Sequence, residues 1–164
     1  MPEPLPDVAF REIGPEDRAA LARFLEENDR PEIVRTFNPF PMTAATAERI
    51  ATAPRRDRYY GAFDGERLVG LSMLRGWDEG YDVPSFGIVI DHHAHNRGLG
   101  GRLTAFTVDA ARALDAPSVR LTVFASNGPG VHVYSRLGFV ERSRAPVDVA
   151  GQPDEKIVMT LDLP

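Results

Sequence analysis

The order of hydrophobic and polar positions predicts alternating strands and helices. Val8 to Ile13 reads as a first short strand. Gly14-Pro15-Glu16-Asp17 then reads as a helix start, with proline in the first turn and acids near the positive end of the dipole. Leu21, Phe24 and Leu25 form the apolar stripe of that helix, and Asn28 to Pro31 stops it. Arg35 to Met42 mixes phenylalanines with prolines and predicts an ordered loop, after which Thr43 is placed to cap a short helix ending before Pro54. Tyr59 to Phe63 and Arg67 to Arg75 read as a hairpin joined at Asp64-Gly65. Ser85 to Ile90 is apolar at nearly every position, which predicts a strand buried on both faces. Leu99, Leu103, Phe106, Ala110 and Leu114 recur at helical spacing from Gly98 until Pro117 intervenes, and Val119, Leu121 and Val123 alternate as a strand. Val131 to Leu137 reads as a short helix closed by Gly138, followed by a terminal strand pair, Phe139 to Val147 and Lys156 to Leu161. A helix crossing between Ser85–Ile90 and Val119–Phe124 predicts that those strands are parallel neighbours in a mixed α/β domain.

Composition narrows the function classes. At 164 residues and 43% hydrophobic content, the chain fits one folded domain spanning 1–164. No apolar run approaches the roughly 18 residues that would span a bilayer, and Met1 to Asp7 lacks the basic and apolar parts of a signal peptide, so no membrane association is expected. There are no cysteines, which removes disulfides and thiolate metal sites and fits a cytoplasmic location. Nineteen basic against 24 acidic residues argue against nucleic-acid binding.

Two local motifs carry chemistry. Arg97-Gly98-Leu99-Gly100-Gly101-Arg102 follows a strand and opens a helix. Glycines there let backbone N–H groups approach a ligand, the helix N-terminus suits a pyrophosphate, and Arg97 and Arg102 could add phosphate contacts. A tight turn with no ligand is the plain alternative. Downstream lies Asn127-Gly-Pro-Gly-Val131-His-Val-Tyr134-Ser-Arg-Leu137-Gly138-Phe139.

The pair resembles the two signature motifs of the GNAT superfamily of acyl-CoA-dependent N-acetyltransferases. Gly98 and Gly100 match the first pattern; Asn127, Tyr134, Gly138 and Phe139 match the second. His95 stands where glutamine or arginine is usual, which puts one phosphate contact in doubt. The resemblance implies an α/β (α+β) fold with a mostly antiparallel sheet, a central parallel pair that splays apart, and flanking helices. It implies acetyl-CoA as acyl-donor cosubstrate, with Ile88, Val89 and Ile90 offering backbone to the pantetheine arm. The stretch His95, Asn96, Arg97, Gly98, Leu99, Gly100, Gly101 and Arg102 would then face the phosphates. Asn127 would hold the gap or a ligand amide, cap a helix, or do both.

The resemblance also implies Tyr134 as general acid toward the departing thiolate, the alternative being a tyrosine that only packs. Related enzymes often place a glutamate where this chain has Ser85, and the branch acting on ribosomal protein N-termini places one where it has Thr122. The base is therefore expected to act through water or to be an acid elsewhere. Asp91-His92-His93-Ala94-His95 holds metal-ligand types, but it feeds the glycine turn and no further ligand motif follows, so no metal is expected. Trp77, Asp78, Glu79 and Tyr81 mix aromatic and acidic side chains on a glycine-hinged loop that suits an amine acceptor, the alternative being a solvated hairpin. The expected reaction is acetyl transfer to a primary amine of a small molecule or amino sugar. Peptide N-acetylation and a non-catalytic acyl-CoA sensor are the alternatives, and a homodimer is left open.

Overall fold

The computed structural model describes residues 7–95 and 97–164. Seven strands form one sheet in the order β1-β2-β3-β4-β5-β7-β6. In chain order they are β1 (Val8–Glu12), β2 (Arg58–Asp64), β3 (Arg67–Arg75), β4 (Ser85–Ile90), β5 (Ser118–Phe124), β6 (Val140–Val149) and β7 (Gln152–Asp162). Every neighbouring pair is antiparallel except β4 and β5, which are parallel, as a helical crossover requires.

Helices cover both faces. α1 (Arg18–Glu27), α2 (Pro31–Val34) and α3 (Ala44–Thr52) precede β2; α4 (Leu99–Ala113) joins β4 to β5; α5 (Gly128–Arg136) joins β5 to β6. Leu21, Phe24, Leu25 and Ile50 pack with Leu71, Met73 and Val89 on one face. Val108 and Ala111 of α4 pack with Val119, Leu121, Val123, Tyr134 and Phe139 on the other. Between sheet and α4, the Ser72 and Thr107 hydroxyls lie 2.7 Å apart, fully buried. Thr107 donates to the Leu103 carbonyl, so Ser72 is the donor of that pair and neither hydroxyl is orphaned.

Local rules explain most boundaries. Thr43 accepts from the Thr46 N–H and starts α3, Gly65 turns the β2–β3 hairpin at φ 62°, and Gly138 closes α5 at φ 102°. Four expectations need correction. Pro31–Val34 forms a short helix, because Pro31 stands at its first turn rather than only ending α1. α5 begins at Gly128, three residues before the apolar stripe, because Asn127 caps it there. Leu114 is 37% exposed: α4 ends at Ala113, and Leu114 lies beyond its buried stripe. β4 is half-buried, with only Phe86 and Val89 inside, because part of it borders open cavities. Among the described residues, no helix is long and apolar enough to cross a membrane.

Candidate active site

The site begins where the sheet comes apart. β4 and β5 pair only at Ser85 and Arg120, where the Arg120 N–H donates to Pro84 O at 3.0 Å, and then they separate. The Asp91 N–H donates to Val69 O across β3, so alternation turns the backbone groups of Ile88 and Ile90 the other way, into the gap. Ile90 O accepts from His95 Nε2 at 2.9 Å, which fixes the proton of that imidazole on Nε2.

One side of the gap opens on a cavity of about 440 Å³ bounded by Ile88, Ile90, His95, Asn127 and the start of α4 from Gly98 to Gly101. Gly98 caps α4 in the left-handed region at φ 72°. The N–H groups of the first turn have no partner within the helix, as at any helix start. A Cβ on Gly98 would meet nothing within 4 Å, one on Gly100 would come no closer than 3.9 Å to Ile90 Cγ1, and one on Gly101 no closer than 3.9 Å to Val133 Cγ1. Side chains there would fill the cavity rather than the core. This is the cradle a pyrophosphate needs, so the residues present fit acetyl-CoA.

Not all of the expected cofactor residues come together. Val89 packs in the core on the α1–α3 face, Arg97 does not line the cavity, and the Arg102 guanidinium lies over the Phe10 ring at 5.1 Å. Asn96 lies outside the described residues. Thr104, Pro129, Gly130 and Val133 line the cavity without having been singled out, because they face it through α4 and α5. Asn127 Oδ1 accepts from Gly130 N at 3.0 Å, capping α5 while lining the gap. A Cβ on Gly130 would come within 2.6 Å of the Asn127 side chain, so that cap needs glycine there.

The other side of the gap opens on a larger cavity of about 1020 Å³. Ile88, Asn127 and Tyr134 line both cavities. Phe86 and Phe139 hold the Tyr134 ring edge-on at 6.0 and 5.9 Å between centroids. Burial pushes its phenol up to about 12. The loop between β3 and β4 forms part of the rim and contains a short 3-10 turn over Trp77–Glu79. Glu79, Tyr81 and Asp82 line the cavity, but Asp78 and Trp77 do not. Trp77 packs against the core, and Asp78 accepts backbone N–H bonds from Arg56 (2.6 Å) and Asp57 (3.3 Å). Those bonds, chiefly the one from Arg56, hold its carboxyl below the usual range. Ser85 and Thr122 also line the cavity, and neither can take up a proton at neutral pH. Arg75, Arg120, Lys156 and Phe37 line it too, and sequence reasoning did not assign them a role at the site.

The histidine cluster is spent on structure. His92 Nδ1 lies 3.0 Å from Asn28 Oδ1, an acceptor, and its Nε2 lies 3.1 Å from Arg30 Nη1, a donor. That sequence of roles fixes the neutral Nδ1–H tautomer. Burial, with His93 and Arg30 adding to it, lowers the His92 imidazole below its ordinary range. Asp91, fully buried, pairs with Arg67 at 3.0 Å and accepts from the His93 N–H. Among the described residues, no group of three or more such side chains is arranged to hold a metal ion.

A parallel pair splayed over a glycine-capped helix start, with an asparagine-capped helix carrying the shared tyrosine, defines an acyltransferase architecture. The acetyltransferase (GNAT) family model matches residues 21–139, and the chain belongs to that family. It is 27% identical to mycothiol acetyltransferase of Rhodococcus jostii (strain RHA1) over 164 residues, covering 90% of this chain and 53% of that protein. It is 28% identical to the L-amino acid N-acetyltransferase AaaT of Escherichia coli (strain K12) over 103 residues, covering 62% of this chain and 64% of that protein. The chain thus spans less than two-thirds of the length of either relative. The fold matches the crystal structure of a GNAT-family acetyltransferase from Streptococcus pneumoniae with a TM-score of 0.77 at 20% identity, over 96% of this chain and 100% of that one.

Proposed function

We propose that this chain, as one domain over residues 1–164, moves an acetyl group from acetyl-CoA to a primary amine of a small molecule in the cytoplasm. The observation that carries the reading is that two cavities meet at Ile88, Asn127 and Tyr134. A donor entering on the glycine side and an acceptor entering on the other would meet only there. Both relatives reported above bear names of acetyltransferases, one of them acting on L-amino acids.

Acetyl-CoA supplies the acetyl group as an activated thioester. The N–H groups at the start of α4 hold its pyrophosphate, and the gap edge at Ile88 and Ile90 orients the pantetheine arm and offers an N–H to the carbonyl oxygen. The acceptor amine must first lose a proton, because an alkylammonium of pKa near 10.4 is almost wholly charged at pH 7. Glu79 or Asp82, the carboxylates lining the larger cavity, take that proton, directly or through water. Tyr134 holds a proton at its phenol oxygen throughout the working range. Full transfer from a group near 12 to a thiolate of ordinary pKa near 8.5 is uphill by roughly 4–5 kcal/mol. Tyr134 therefore acts first as a hydrogen-bond donor to the departing sulfur; the proton it passes to the thiolate is replaced by the second proton that the attacking nitrogen loses on becoming an amide, so the phenol ends protonated.

Thiol release from acetyl-CoA, followed over a panel of amines, amino sugars, polyamines, amino acids and peptides, tests the reading. Turnover with a small amine supports it. Tight acetyl-CoA binding without turnover on any acceptor would make the chain an acyl-CoA sensor instead.

A further inference from the structure

We infer that the acceptor carries an oxyanion, a carboxylate in first place, in addition to its amine, and that Arg75 and Arg120 hold it on either side of Ser85. This rests on the acetyltransferase reading of the same cavity. Strand register places the three residues in one row: Arg75 lies opposite Ser85 across β3 and β4, and Ser85 lies opposite Arg120 across β4 and β5. Residues directly opposite one another point to the same face of a sheet, and neighbouring strands are about 4.8 Å apart. All three line the larger cavity. Two guanidiniums thus flank a hydroxyl in its wall, all of them donors to an anion.

Among the described residues, no carboxylate pairs with the charges in this row. Several arginines elsewhere are ion-paired, as Arg11 is with Asp17, Arg67 with Asp91 and Arg144 with Glu141, but Arg35, Arg49 and Arg136 are not, so it is the place of this pair in the cavity wall that sets it apart. Arg75 donates to Pro39 O at 3.4 Å and lies 5.7 Å from the centre of the Phe40 ring, with no carboxylate partner among the described residues. Arg120 has no side-chain hydrogen bond or ion pair with any described residue. The carboxylates that line the same cavity, Glu79 and Asp82, come from the end of the Trp77–Glu79 turn and the loop that follows it. One wall is cationic and the rim is anionic, a division that suits a molecule bearing both an amine and a carboxylate.

Spacing agrees with this. Ser85 is three residues along β4 from Ile88, about 10 Å at strand rise and on the opposite face of that strand, and both border the larger cavity, so the row communicates with Ile88 through the gap where β4 and β5 part. An amine near Ile88 and Tyr134 would place a carboxylate a few bonds away within range of the row. Arginine forks grip carboxylates through two parallel hydrogen bonds, which a neutral amide cannot reciprocate. Ser85 matters by being uncharged: a glutamate at this position would itself pair with both arginines.

The test compares matched acceptors in thiol-release kinetics: amino acids, their carboxamides, the corresponding decarboxylated amines, and aminophosphonates. A second arm needs no turnover, and measures calorimetric binding of N-acetyl amino acids and their amides in the presence of CoA. We expect kcat/KM for the carboxylate to exceed that for its amide by about 10- to 100-fold, the range for charge-assisted hydrogen bonds. The ratio should collapse, mainly through KM, in Arg120→Gln and Arg75→Gln, and also in Ser85→Glu, whose melting temperatures report that they fold. A stronger preference for aminophosphonates would support the same row with a phosphate-type ligand. If no amine turns over but N-acetyl amino acids still bind through the arginines, the acetyltransferase reading falls and the anion row stands. Equal rates for acid and amide, with equal binding of their N-acetyl forms, would overturn the inference.

Discussion

Asp57 and Asp78 exchange hydrogen bonds with each other's backbone. Asp57 Oδ1 accepts from the N–H of Gly76 (3.0 Å) and Asp78 (3.2 Å), while Asp78 Oδ2 accepts from the Asp57 N–H at 3.3 Å. Asp57 is 6% exposed, so its carboxylate depends on those donors for solvation. The exchange ties the entrance to β2 to the loop that carries Glu79, Tyr81 and Asp82 over the larger cavity.

Breaking this clamp should loosen the loop without touching the chemistry. Asp57→Ala is expected to cost about 1–3 kcal/mol of stability, the usual penalty for unsatisfied buried groups, and Asp78→Ala about 1 kcal/mol. Both should raise the acceptor KM severalfold, with the pH profile of kcat keeping its shape. An acidic limb that moves in Asp78→Ala but not in Glu79→Gln would show that Asp78 is the base, contrary to its place on the backbone.

The glycine turn makes a separate prediction about the donor. Gly98 sits at φ 72°, so Gly98→Ala strains the turn, whereas Gly100→Ala strains nothing and only adds bulk to the cavity. Gly100→Val should therefore weaken acetyl-CoA binding by calorimetry about 10-fold or more while the melting temperature holds to within a few degrees. Gly98→Ala should lower both. Unaltered affinity in Gly100→Val would remove the turn from the cofactor site.

How far the sequence foretold this site depends on the range of the interaction involved. Caps and turns at Thr43, Gly65, Asn127 and Gly138 are fixed by residues within a few positions, and their residue types announce them. The glycine turn at the start of α4 was legible for the same reason, since Gly98 to Gly101 follow one another along the chain. The placement of Asp78 could not be read locally, because the N–H groups it caps belong to Arg56 and Asp57, more than 20 residues earlier. Arg102 was assigned to phosphate from its place beside the glycines, while one of its contacts, the Phe10 ring, comes from the first strand. The row of Arg75, Ser85 and Arg120 exists only once two strand registers are set, one of them across a 27-residue crossover between Ile90 and Ser118. Nothing in the local pattern marks it.

Acid stability should depend on Asp17. Its carboxylate, 4% exposed, accepts two hydrogen bonds from Arg11 at 2.7 Å and one from Gly14 N at 2.8 Å. The Arg11 bonds, joined by that from Gly14, hold its carboxyl below the ordinary range despite burial. A lowered folded pKa gives stability that is present above the unfolded value near 3.9 and is lost as pH falls through the folded value. Asp17→Asn should cost about 1–3 kcal/mol at pH 7, and the gap to wild type should close as urea melts are repeated below pH 4. A constant gap across pH would mean the asparagine fails for reasons of packing.

Tyr134 can be tested in two independent ways. Its folded pKa near 12 exceeds the unfolded value near 10, so the folded protein keeps a proton that the unfolded chain gives up. The resulting stability is complete below pH 10 and declines as pH rises toward 12, by up to about 2–3 kcal/mol. Tyr134→Phe should remove that part of the alkaline slope in denaturant melts, because phenylalanine has no proton to lose. In kinetics the same variant should keep its acetyl-CoA affinity and lower kcat by roughly 10²-fold, the low end for general acid catalysis. Wild-type kcat should show no limb assignable to the phenol below about pH 11, and a base at Glu79 or Asp82 would show as a fall in kcat in Glu79→Gln or Asp82→Asn. If Tyr134→Phe loses the alkaline slope yet turns over at the wild-type rate at every pH, the buried phenol is confirmed and its catalytic role is gone. The proton for the sulfur must then come from water in the gap between β4 and β5.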